Sequence, residues 1–297
     1  LGSSTGTGSV TFTQTTASTA PRFSGILAGT GTPGTIVISD NNIGSITVSN
    51  SSTGRVEMAG IYAQGPATSY TISGNNIGSS STANSMQNNT TSDSYGIYST
   101  STATNSNSIT NNTVANLTSN GTLYGVRSDG GTNTISTNII QDCNSATNDV
   151  WGINTGSATI NNTISGNTIF NLTTGARALG IRTDGGVNTI SNNTIRNNSS
   201  SSATSLTSAI GIWMASTTAG QTATGNTIHS LQNTTPTAAT ATAQGIYYTG
   251  PTSGTNVIER NLIHSLSLST SSTSGAIYGI RVLTGVFPVN IQNNMVR

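Results

Sequence analysis

A six-residue pattern, Ile-x-x-Asn-x-(Ile/Val), recurs nine times along this chain and confines it to repeat architectures, in which each unit buries its apolar face only against its neighbours. It reads ISDNNI (38–43), ISGNNI (72–77), ITNNTV (109–114), ISTNII (135–140), ISGNTI (164–169), ISNNTI (190–195), ATGNTI (223–228), IERNLI (258–263) and IQNNMV (291–296). The copies share one asparagine column: Asn41, Asn75, Asn112, Asn138, Asn167, Asn193, Asn226, Asn261 and Asn294. The near-duplicates RSDGGTNTISTNII (127–140) and RTDGGVNTISNNTI (182–195) are therefore two repeats apart.

A Gly-Ile or Gly-Val step precedes each copy, at Gly25, Gly60, Gly96, Gly125, Gly152, Gly180, Gly211, Gly245 and Gly279. Each repeat thus holds three short β-type runs: one at the Gly-Ile step, one ending in the first Ile of the motif and one opening at its last Ile. None shows the helical period of 3.6 over ten or more residues. Three such runs make a triangular coil, and coils stacked about 4.8 Å apart pair each strand in parallel with its equivalents. Inward columns then run from Ile61 to Ile280 on one wall and from Ile43 to Val296 on another. At roughly 1.5–3 kcal/mol per buried Ile, these columns offset the chain entropy.

Composition agrees. Only 6% of the 297 residues are charged and 32% are hydrophobic, yet the regular β-branched runs argue against disorder. Every basic residue is Arg, and the net charge of +1 without a basic run gives no footprint for nucleic acid. No apolar stretch is long enough for a membrane span. A lone Cys143 excludes an internal disulfide framework. The chain opens at Leu1 without Met, as a mature product or an excised segment does. We expect residues 1–23 to be a lead-in or partial coil and 24–297 a solenoid of about nine coils. The last copy stops as its third strand begins, without a polar cap, so the solenoid is expected to continue past Arg297.

The asparagine column is expected at the corner between the second and third runs, where a residue tolerant of the left-handed region is needed. Stacked in register, each amide can donate to the next. On these motifs residues 24–297 resemble the right-handed parallel β-helix family, whose coils carry motifs like ISGNTI and an internal Asn ladder. Right-handedness is what the resemblance and the crossover rule imply. The stretch GILAGTGTPGTIVISDNNI (25–43) also resembles long, secreted, low-lysine bacterial surface proteins of the adhesin kind.

The resemblance also implies a kinship with polysaccharide lyases and hydrolases, which use Asp clusters, Ca2+ and Arg or His on an exposed strand face. Arg127/Asp129 and Arg182/Asp184 fall at equivalent positions two coils apart, with carboxylates about 9.6 Å from each other, at the edge of the inverting-glycosidase window. Asp-Gly-Gly is also ordinary turn chemistry, and the coil between them supplies no third acid. His229 and His264 share a column with Gln141, Phe170 and Arg196, and are expected to be solvated rather than metal ligands. Cys143 shares a column with Leu117, Leu172, Leu231 and Leu266, as a buried hydrophobe would.

The outward column after each Gly-Ile step reads Tyr62, Tyr98, Arg127, Asn154, Arg182, Trp213, Tyr247 and Arg281. Its rings are expected to stack along the solenoid; Tyr62, Tyr98, Trp213 and Tyr247 are also the candidate glycan-stacking residues. Long polar loops at the third corner are read as decoration, and Asn233 as a loop residue tolerant of replacement. The resulting expectation is a non-catalytic structural segment of an extracellular or cell-surface adhesin or fibre, with no cofactor, metal, nucleic-acid partner or membrane span. Its candidate partners are other copies or segments of the fibre and surface glycans. The alternative is a carbohydrate-binding or polysaccharide-degrading β-helix, whether lyase, hydrolase or receptor-binding spike.

Overall fold

The computed structural model describes residues 1, 9–15, 21–29, 34–50, 55–65, 69–101, 105–202, 207–235, 240–269, 274–283 and 289–297. They form an all-β parallel solenoid of four sheets, each with nine strands among the described residues. The first sheet holds the Gly-Ile runs, from Arg22–Ala28 to Ala276–Val282, and the second the runs ending in the first Ile, from Thr35–Ser39 to Asn290–Gln292. The third, from Asn42–Ile43 to Met295–Val296, carries the last Ile of each motif. Equivalent residues pair in parallel: Ile97 with Val126, Ile135 with Ile164 and Ile169 with Ile195. No helix among these residues is long and apolar enough to cross a membrane.

A fourth sheet corrects the expectation of three strands per coil. It runs from Val10–Gln14 through Leu117–Ser119, Asn144–Ser145 and Thr173–Thr174 to Ser267–Leu268. Its strands after the third coil are two or three residues long and mostly polar, too short to show the alternation that betrays a strand. What makes them is a second left-handed corner at Asn116, Asp142, Asn171, Asn197, Ser230 and Ser265, with φ between 53° and 57°. Asn, Asp and Ser suit that turn, since short polar side chains tolerate the left-handed region. Asn233 lies in this sheet and is fully buried, its Nδ2 donating to the Ser202 carbonyl, so it is no loop residue. Of the loops read as decoration, residues 203–206 and 236–239 lie outside the described residues.

One core cluster fills the bore, built from the columns expected of the first and third sheets as far as Ile246 and Ile263, together with a second-sheet column of Ile72, Ile109, Ile135, Ile164, Ile190 and Ile258; on the last coil Ile280 is only partly buried and Val296, expected inside, is exposed because no further coil covers it. Glycine opens the Gly-Ile step for want of space. A Cβ on Gly152 would stand 2.5 Å from the Gly180 carbonyl oxygen and 2.7 Å from Ile169 Cγ2, closer than real Cβ contacts. The same clash with the last Ile or Val recurs at every such glycine from Gly25 to Gly279, so the two motifs are halves of one packing unit.

Candidate functional site

The asparagine column is a continuous ladder. Nδ2 of each Asn donates to Oδ1 of the next, from Asn41 through Asn75, Asn112, Asn138, Asn167, Asn193, Asn226 and Asn261 to Asn294, at 2.9–3.0 Å. The same Oδ1 also accepts the backbone N–H of the preceding Asn, as at Asn138 to Asn167, 2.9 Å. The second Nδ2 hydrogen reaches back to a carbonyl of the previous coil, as from Asn167 to Ile135 at 2.9 Å. The left-handed residue, however, is the one before the ladder position: Asp40, Gly74, Asn111, Thr137, Gly166, Asn192, Gly225, Arg260 and Asn293, with φ from 53° to 67°. The corner needs that conformation one step earlier, and Asn is required for its two-sided amide instead.

A second ladder escaped sequence reading. Asn107, Asn133, Asn162 and Asn188 link Nδ2 to Oδ1 at 2.7–2.8 Å, and Asn188 passes the chain to Gln221 Oε1 at 2.7 Å. All five side chains are buried. The signal was present as an Asn two residues before the first Ile of four consecutive motifs, in Asn-(Thr/Ser)-Ile.

On the outer face of the first sheet the predicted column is in register, Tyr62 with Tyr98, Tyr98 with Arg127, and on to Trp213, Tyr247 and Arg281. A neighbouring column of Tyr95, Tyr124, Trp151, Leu179 and Ile210 interleaves with it to form a second hydrophobic cluster outside the bore. Ring and guanidinium contacts run without a break along this strip. Arg22 lies 3.9 Å over Tyr62, Tyr62 stacks on Tyr98 at 5.2 Å, Tyr95 on Tyr98 at 4.3 Å, and Tyr124 meets Trp151 at 5.2 Å. Arg182 then bridges Trp151 and Trp213, Trp213 meets Tyr247 at 5.3 Å, and Arg281 lies over Tyr247. Tyr62 and Tyr247 are only 8% and 7% exposed, while Tyr98 and Trp213 are half-buried.

The Arg–Asp pairs belong to the same strip. Arg127 Nε donates to Asp129 at 2.9 Å, and Tyr98 Oη donates to the other oxygen of Asp129 at 2.8 Å. Arg182 Nε donates to Asp184 at 2.7 Å, and Asn154 Nδ2 to its second oxygen at 3.0 Å. Burial, reinforced by Asp129, raises the Tyr98 phenol well above its ordinary range. Burial also opposes the Arg127 charge, but the bond to Asp129 outweighs it and the guanidinium is held charged. Between the pairs, where Asn154 replaces a bulky side chain, a notch of about 360 Å³ opens, lined by Arg127, Asp129, Asn154, Gly156, Ser157, Ala158 and Asp184. Both carboxylates there are already committed as acceptors.

His229 and His264 pair in register on the third sheet, with ring centroids 4.8 Å apart. Among the described residues no three His, Cys, Asp or Glu side chains gather so as to hold a metal ion. Cys143 is fully buried in the main core, and burial pushes its thiol up to about 12. Compared with models of protein families, with curated proteins and with solved structures, the chain matches none.

Proposed function

We propose that this chain is a structural repeat segment of a secreted or cell-surface bacterial fibre or adhesin, without catalytic activity. The observation that carries this reading is the outer strip. Its ring faces are turned toward one another and toward guanidinium groups, and its two Arg–Asp pairs satisfy their own hydrogen bonds. A sugar-stacking platform needs an open ring face, and a general acid or base needs a carboxyl free to exchange its proton with substrate. Ladders spanning many coils serve another end, since they tie each coil to the next along the solenoid axis.

The experiment is protease shaving of intact source cells, with an antibody against this segment, beside incubation of the purified chain with a polysaccharide panel. Surface accessibility without release of reducing ends is the expected result. An exclusively intracellular epitope, or turnover of any polysaccharide, would overturn the proposal. The second reading, a carbohydrate-active β-helix, is favoured by one observation, the notch at Asn154 between two Arg–Asp pairs.

A further inference from the structure

The outward face of the second sheet is a regular mesh of uncommitted hydroxyls. Strand register aligns Thr71, Ser108, Thr134, Thr163, Thr189 and Thr222 in one rank over consecutive coils. A second rank lies two residues further on, from Ser73 to Thr224, and is Ser or Thr on each of the same coils. Between the ranks the chain turns the first residue of the motif, Ile or Ala223, into the core. Thr134, Thr163 and Thr189 are exposed, and the remaining positions are partly exposed. No side-chain oxygen of either rank forms a hydrogen bond among the described residues. Hydroxyls just outside the mesh do: Ser69 donates to Thr35 at 3.0 Å, and Thr137 to Asn111 at 2.6 Å. Neither rank contains a charged or aromatic residue, and the first acid comes one coil beyond Thr224, at Glu259.

Parallel strands about 4.8 Å apart set the spacing along each rank, and two residues at about 3.3 Å each set roughly 6.6 Å between the ranks. Such a mesh is regular only where the sheet stays flat, and side-chain ladders are among the devices that hold a sheet flat over many strands. Here a buried ladder borders each side. Asn133 immediately precedes Thr134, and Asn138 follows Ser136 by two residues. The Asn41-to-Asn294 ladder already ties every coil to the next, so the second ladder is surplus to that role. Its links from Asn107 to Gln221 fall on the coils of Ser108 to Thr222, and among the described residues they stay within the mesh.

We propose that this face binds ice. A surface without charge or ring faces offers no counter-charge to a polyanion and no stacking platform to a sugar. Neutral hydroxyls turned to solvent on a rigid mesh instead hold first-shell water at repeating positions. Threonine sets a methyl beside most hydroxyls of the first rank, and water over apolar groups has restricted orientation. The spacing along the ranks is close to the oxygen repeat of hexagonal ice, so water held on the face joins the crystal with little rearrangement. An adsorbed chain blocks growth at its own footprint and forces the ice front to curve between neighbouring molecules. Curvature lowers the freezing point and leaves the melting point in place.

Ice binding goes beyond the structural role and does not rest on it: surface accessibility and sugar release are read separately, so either reading can fail alone. The test records thermal hysteresis and crystal shape for the whole chain, and its uptake into slowly grown ice, with serum albumin as the reference. Faceted crystals, a freezing point held below the melting point and enrichment in the ice are expected. Thr163→Tyr sets a bulky ring in the middle of the mesh and should lose most of the hysteresis with its melting temperature preserved. Thr173→Tyr, at an exposed position of the fourth sheet, should keep it. Should Thr163→Tyr fold poorly, Thr189→Lys takes its place at the neighbouring exposed position. Round crystals and exclusion from ice, as for albumin, would overturn the proposal. So would hysteresis unchanged by a folded mesh variant, equal loss in Thr173→Tyr, or retention on microcrystalline cellulose without any hysteresis.

Discussion

Asn167 donates from Nδ2 to Asn193 Oδ1 at 2.9 Å, while its own Oδ1 accepts both the backbone N–H and the Nδ2 of Asn138. One side chain therefore closes hydrogen bonds on both neighbouring coils. Asn167→Ala leaves two buried donors of Asn138 short of an acceptor, at roughly 1–3 kcal/mol for each unsatisfied group. Urea unfolding should show a clear loss of stability. Asn233→Ala should also destabilise, because the buried Asn233 side chain bonds Ser202 and Thr235. A neutral Asn233→Ala would contradict the fourth sheet.

Glycine at the Gly-Ile step makes a prediction with an internal control. Gly152→Ala forces a methyl against the Gly180 carbonyl and Ile169, an overpacking that costs about 1–3 kcal/mol. Gly34→Ala meets nothing within 4 Å and should leave the melting temperature almost unchanged. Equal melting shifts for the two variants would refute the packing of the glycine column on the last-Ile column.

Cys143 gives a chemical readout of the bore. Its thiol, pushed up to about 12 by burial, has almost no thiolate at neutral pH. Alkylation by iodoacetamide at about pH 8 should be slow in the native chain and fast in denaturant, where the thiol returns to roughly 8.5. Rapid native labelling would place Cys143 outside the core.

Much of this architecture was legible because the residues that build it repeat at fixed positions. The Asn41-to-Asn294 ladder, the Gly-Ile column and two inward Ile columns rest on side chains whose chemistry is demanded on every coil. The fourth sheet was not legible: Asn144–Ser145 or Ser199–Ser200 has no alternation to read, and its corner is set by backbone angles at Asp142 or Asn197. The one-residue offset of the left-handed position was hidden because Gly, Asn, Asp, Thr and Arg all occupy it. The second ladder was masked by a composition rich in Asn. At the outer strip the sequence showed the Tyr62-to-Arg281 column, but not the interleaved Tyr95, Tyr124 and Trp151, which lie on the other side of the glycine.

Asp129→Asn and Asp184→Asn test catalysis separately from stability. Each removes the carboxylate charge from an ion pair that is only about a quarter exposed, so some loss of stability is expected and activity is compared on the folded fraction. Neither variant should alter the output of a reducing-sugar assay, since the wild type is expected to show no turnover. A wild-type signal abolished by either substitution would assign the notch at Asn154 to an active site.

The most direct test of the structural account is a glycan array at neutral pH, comparing wild type with Trp213→Ala and Tyr247→Ala. If the strip is scaffolding, its rings bind one another; the variants lose about 0.5–1.5 kcal/mol for the broken aromatic pair in addition to the cost of the lost burial, and show the same array profile as wild type. A strong wild-type hit that disappears with Trp213 would contradict the account and make the strip a carbohydrate reader.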